Sequence, residues 1–153
     1  MQTFLPHPDF VESAGALDDR RLGKQRVECL QILNALHQVK FTVNMEEPVP
    51  IDGTVIPWVN HPVVSMWRGY EVALAEYGIT ICEEWRSRGF ADRVQRVLEV
   101  HLDLAANGDF EMGKPPWFGG PIHDQYKAIL YRKDPDFYSQ FGKYAPLVFN
   151  WPA

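Results

Sequence analysis

The sequence predicts an all-α fold: a bundle of about four to five helices joined by long Pro/Gly-rich loops. Two observations carry this. Apolar residues recur at helical spacing through most of the chain, and proline and glycine fall mainly between those periodic stretches. At 153 residues the chain fits one domain, 1–153, able to bury roughly two-thirds of its unfolded surface.

The elements follow in order. Residues 1–16 are punctuated by Pro6 and Pro8, which predicts an extended arm and a short turn before the first long helix. That helix runs from about Asp18 to Val39. Leu22, Cys29, Leu33 and Leu36 share one face with Leu30 beside them, and Asp18 and Asp19 suit the positive end of the helix dipole. Pro48, Pro50, Gly53 and Pro57 forbid a long helix over 40–59 and leave a loop with at most a short hairpin. A second helix is expected with Asn60 as cap and Pro62 in its first turn. Its stripe is Val63, Trp67, Tyr70, Leu74 and Tyr77, Gly78 ends or bends it, and a further helical segment reaches Gly89. A third helix covers about 91–106 and another about 123–132. Asp134-Pro135 then opens a short helical turn stopped by Gly142, and the tail is aromatic and irregular.

Composition bounds the function. The net charge of −5 argues against coating nucleic acid by bulk electrostatics, while leaving room for a local basic patch. Cys29 and Cys82 sit in helical, apolar settings without CxxC spacing and read as reduced core residues. The N-terminus shows no secretory signal, and no apolar run approaches the ~20 residues of a membrane span. The expectation is a soluble, cytoplasmic protein with no membrane partner.

Chemistry concentrates in LDDRRLGKQRVECLQIL. Arg20, Arg21, Lys24 and Arg26 fall within seven residues, out of 15 Lys and Arg in the chain. Helical rotation puts Arg21, Lys24, Glu28 and Gln31 opposite the Leu22/Cys29/Leu33 face, so Glu28 sits among cations able to hold phosphates. The same residues also fit an ordinary exposed Lys24–Glu28 pair on a solvated face. Gly23, costly inside a helix by ~1 kcal/mol, marks a close approach by a ligand or by another helix.

No histidine pair has metal-ligand spacing, so a metal site is not expected, and without phosphate-loop or nucleophile-elbow motifs standard nucleotide-loop and elbow chemistry is not supported. His61, before a helix start, and His123, beside Asp124, are the histidines placed to work. Near the C-terminus Arg132, Lys133 and Lys143 interleave with Phe137, Tyr138, Phe141 and Tyr144. That pattern suits either a surface gripping an unstacked base or a core pair at i,i+4.

Three segments, in order, resemble the pyrimidine-dimer DNA glycosylases of the phage endonuclease V type. They are Leu17 through Leu22 to Glu28, His61 through ICEEWRSRGF, and RKDPDFYSQFGK. The resemblance implies an all-α endonuclease V-like fold and a glycosylase with AP lyase activity acting on damaged or modified DNA without a cofactor. In such an enzyme the N-terminal α-amine, here of Met1 or Gln2, attacks C1′ and forms an imine, while Glu28 stabilises the sugar cation and moves protons. An α-amine titrates near 7.7–8.0, so part of it is neutral and nucleophilic at physiological pH. Arg20, Arg21, Lys24, Arg26 and His61 would then contact DNA, and Tyr138, Phe141, Gly142 and Lys143 would line the lesion or strand. The alternative is a catalytically inactive member of the fold that binds nucleic acid or a protein.

The chain departs from that pattern in three places. Gln2 follows Met1 where the family has threonine, Val27 and Gln31 replace family arginines, and the net charge is acidic where the family is basic. Each lost phosphate contact lowers affinity for undamaged duplex, so the substrate could instead be another modified base, a single strand or a nucleotide.

Overall fold

The computed structural model describes residues 1–108 and 110–152. Among them are six α-helices: α1 Phe10–Ala16, α2 Asp19–His37, α3 Pro62–Trp67, α4 Glu71–Ser87, α5 Gln95–Ala106 and α6 Ile122–Lys133. A 3-10 helix, Ser139–Tyr144, follows, and the only β pairing described is an isolated bridge between Phe41 and Pro50. The all-α expectation holds.

The spine is α2 packed against α4, with α5 against both. Two glycines make that packing close. A Cβ on Gly78 would lie 3.0 Å from Leu98 Cδ1 and 3.1 Å from Cys29 Cβ, where α2, α4 and α5 meet. One on Gly23 would lie 2.8 Å from the Trp85 ring. Gly78 does not end its helix: α4 continues through it to Ser87, and the missing side chain serves packing there. Cys29, Leu33, Leu74, Tyr77, Ile81 and Leu98 fill the core around this crossing, and both cysteines are free thiols buried in it.

Other elements differ from the sequence reading. The arm does not stay extended to residue 16. Asp9 accepts the N–H of Glu12 (2.8 Å) and starts α1, a capping signal hidden behind two prolines. The single helix expected from residue 62 is two. The chain breaks at Arg68–Tyr70, with Gly69 at φ +91°, and α4 restarts at Glu71. His61 caps α3 in place of Asn60, its Nδ1 accepting the Val63 N–H at 3.0 Å. Similarly, α5 begins at Gln95 instead of residue 91, since Asp92 accepts the N–H groups of Val94 and Gln95. Gly142 lies inside the 3-10 helix and does not stop it. No helix among the described residues is long and apolar enough to cross a membrane.

Candidate functional site

The site grows from the way the first five residues are tied down. The Gln2 N–H donates to Glu28 Oε2 (3.1 Å). Gln25 grips the arm with both ends of its amide, Nε2 donating to the Gln2 carbonyl (2.9 Å) and Oε1 accepting the Phe4 N–H (2.7 Å). Trp67 Nε1 donates to Thr3 Oγ1 (3.0 Å), the Tyr77 hydroxyl to the Phe4 carbonyl, and His123 Nδ1 to the Leu5 carbonyl (2.7 Å). The Gln2 side chain is held as well, its Oε1 accepting from Tyr126 (2.9 Å). Helices α2, α3, α4 and α6 thus each contribute a bond to one extended segment. Buried backbone needs partners, and here core side chains supply what a sheet would otherwise supply.

Beside this segment opens a cavity of about 440 Å³ lined by Met1, Gln2, Phe4, Arg20, Arg21, Lys24, Glu28, Ile129 and Lys133. Phe4 and Ile129 are its apolar lining. Four cationic side chains and the chain start face one buried carboxylate, Glu28. Lys24 Nζ stands 3.7 Å from Glu28 Oε1 while its side chain remains 75% exposed, so the pair borders the opening. Arg21 is oriented by Asp18 (3.1 Å). Burial alone would raise the Asp18 carboxyl, but hydrogen bonds from Tyr138 and Arg21 hold it below the usual carboxylate range.

His61 is coupled to the same place. Burial and then the ammonium at the chain start push its imidazole below the ordinary range, against the opposite pull of Glu28. Since Nδ1 accepts the Val63 N–H, the neutral ring carries its proton on Nε2.

The sequence candidates therefore divide. Met1, Gln2, Glu28, Arg20, Arg21 and Lys24 lie together, and His61 is close enough to feel the first and third. Arg26 lies elsewhere. It pairs with Asp92 at the start of α5, and its guanidinium sits 4.6 Å from the Trp85 ring centroid, so it fastens helices together and does not reach the cavity. Tyr138 and Phe141 are buried and stack on each other. The Tyr138 hydroxyl donates to Asp18 Oδ1 and accepts the Asp18 N–H, which makes it a buttress for the α2 cap. Lys143 is exposed over the Tyr144 ring and lines no part of the cavity, and Gly142 sits against Tyr131.

The sequence reading did not mark Gln25 as part of the site, and did not place Lys133 beside Glu28. Gln25 left a signal: a polar residue three after Leu22 and four before Cys29, within the apolar stripe. Lys133 was visible only as part of the C-terminal cation–aromatic cluster, and the packing of α6 is what brings it to the cavity beside Glu28. Among the described residues no cluster of His, Cys, Asp and Glu is arranged to hold a metal ion.

The family model described as pyrimidine dimer DNA glycosylase matches residues 1–97. That stretch contains the arm, α2, α3, α4, Glu28 and His61, and it ends before α6 and the tail. No curated protein and no solved structure matches the chain significantly.

Proposed function

The chain belongs to the pyrimidine dimer DNA glycosylase family, and from that membership we propose a DNA glycosylase with AP lyase activity whose nucleophile is the amine at the chain start. The observation that carries this reading is the shared cavity: the first two residues and a buried carboxylate, ringed by Arg20, Arg21, Lys24 and Lys133.

The chemistry runs as follows. Arg20, Lys24 and Lys133 hold phosphates flanking an everted nucleotide. The amine of Met1, or of Gln2 once the methionine is removed, adds in its unprotonated form to C1′ as the bond from C1′ to the damaged base breaks, and the base leaves as its anion and takes a proton from solvent water. The adjacent Glu28 carboxylate balances the positive charge that develops on the sugar ring. The adduct then loses its amine proton and opens its ring to an imine, Glu28 relaying the proton to the ring oxygen. The imine acidifies the C2′ hydrogens, and loss of one expels the 3′ phosphate. His61, its imidazole kept below the ordinary range by burial and then by the nearby amine, adds no competing cation there.

Borohydride reduction in the presence of a duplex bearing an abasic site tests this directly. A covalent protein–DNA adduct attached through the first residue, identified by peptide mass, is the expected result. Glu28→Gln should lower turnover about 10²- to 10⁴-fold while leaving the dissociation constant for an uncleavable abasic analogue within a few fold. No adduct with any lesion or abasic substrate, despite tight DNA binding, would turn the assignment to the non-catalytic binder.

A further inference from the structure

A second feature adjoins the cavity and belongs to none of the steps above. Trp58 is a bulky residue at φ +70°, a left-handed conformation that such side chains rarely adopt, and it is 47% exposed. Its carbonyl accepts the His61 N–H (2.9 Å), closing a tight turn that holds the indole out at the surface. Trp151, 38% exposed, approaches the same histidine from the other end of the chain. Both indoles meet the His61 ring edge-on, at 5.9 Å and 77° for Trp58 and 5.6 Å and 87° for Trp151.

The tail that carries Trp151 is clamped in place. Arg132 Nη1 donates to the carbonyls of Ala145 (2.8 Å) and Leu147 (3.0 Å), and Gln125 Oε1 accepts the Asn150 N–H (3.0 Å). From Trp151 the aromatic contacts run inward through Phe149 (5.0 Å) to Tyr126 (4.9 Å), whose hydroxyl holds the Gln2 side chain. The platform is therefore tied through packed rings to Gln2, which lines the cavity. Elsewhere the fold covers a surface indole by stacking, as Trp85 does with Phe90 at 4.1 Å and 22°. Neither Trp58 nor Trp151 has a face-to-face ring partner among the described residues.

We propose that Trp58, His61 and Trp151 form a stacking platform for one nucleobase displaced from the duplex beside the reacting nucleotide. This rests on the glycosylase reading of the adjoining cavity. Two indoles around one imidazole offer far less than the ~800 Å² per partner of a standard protein interface, whereas a base needs only one ring face. Cations at the neighbouring opening supply the phosphate contacts that would bring a strand across it. In a chain with net charge −5, stacking also adds affinity that does not depend on further phosphate contacts.

Fluorescence anisotropy with a duplex carrying a tetrahydrofuran abasic analogue, which cannot form an imine, tests the platform. Trp58→Ala and Trp151→Ala should each weaken binding roughly 5- to 100-fold, the range for losing one base–ring stack. The slope of log Kd against log salt should stay unchanged, and Trp58→Tyr and Trp151→Phe should recover most of the loss. Both alanine variants binding within twofold of the parent would overturn the platform. Should Trp58→Ala fail to fold by circular dichroism, Trp151→Ala with its phenylalanine rescue decides the matter. Borohydride trapping by the unaltered chain is read in parallel. Trapping with indole-independent affinity sinks the platform alone, while indole-dependent affinity without trapping sustains the platform and sinks the glycosylase reading.

Discussion

Lys24 and Arg26 are two residues apart on α2, carry the same charge and live differently. The Lys24 side chain is 75% exposed at a cavity mouth, and that of Arg26 is 14% exposed, sealed between Asp92 and Trp85. Two residues are about 200° of helical rotation, so neighbours in the basic run point to opposite partners. One side of the helix (Arg21, Lys24, Gln25, Glu28) faces the N-terminal arm, and the other (Arg26, Cys29, Asn34) faces α4 and α5. Density of charge along a sequence thus says little about shared function until the helical phase divides it.

Substitutions on the two sides should therefore fail in different assays. Glu28→Gln carries the largest expected effect, about 10²- to 10⁴-fold in turnover with the melting temperature nearly unchanged. A melting shift that tracked the loss of activity would erase the distinction between the sides. Arg26→Ala comes next and should act on folding. It strands the Asp92 carboxylate, whose side chain is 2% exposed, and costs roughly 2–4 kcal/mol, read as a melting temperature lower by about 6–12 °C. DNA affinity per folded molecule and its salt slope should hold. Altered salt dependence would put Arg26 at the phosphates after all.

The next effect comes from the far end of the α5-facing side. His101 Nε2 lies 2.8 Å from Asn34 Oδ1 and its Nδ1 2.8 Å from His37 Nδ1. Burial, and then the neighbouring His37, push the His101 imidazole from its ordinary 6.5 down to about 3. Between those values the unfolded chain takes up a proton that the folded chain refuses. Stability is therefore complete above pH 6.5 and falls as pH drops toward 3. A melting temperature lower by on the order of 5 °C at pH 5 than at pH 7.5 is expected, with a smaller difference in His101→Leu. Identical pH dependence in the variant would count against a neutral buried imidazole. The smallest effect belongs to Lys24→Ala. The slope of log Kd against log salt should drop by about 0.9, with affinity down several fold and stability unmoved. An unchanged slope would make Lys24 a solvated residue with no phosphate near it.

Much of the fold could be read from the chain because long amphipathic stripes outweigh local detail. Helix α2 and the Glu28 face are clear at 3.6-residue spacing, and so is the family of which residues 1–97 carry the match. The misses have local causes. Helix α1 hides behind Pro6 and Pro8 because breaker residues mask the Asp9 and Glu12 capping pair. The gap at Gly69 is invisible because Val63, Trp67, Tyr70 and Leu74 keep helical spacing across it. Tyr138 and Phe141 look like a binding surface since aromatic–cation interleaving is the same whether the rings point in or out. Only the packing of the 3-10 helix on α6 turns them inward. Of the site, the part on α2 was legible from helical phase, and Met1, Gln2 and His61 from the family resemblance. The part assembled from α6, the tail and the residue 58 turn required the third dimension.

Because Gln2, Thr3, Phe4 and Leu5 are each bonded to a different core side chain, the arm cannot slide in register. Gaining or losing a single residue at its end is not absorbed as slack, and the terminal nitrogen moves by one backbone step, about 3.5 Å. With Met1 in place it is the Gln2 N–H that bonds Glu28 (3.1 Å), and loss of Met1 would make that same nitrogen the terminal amine.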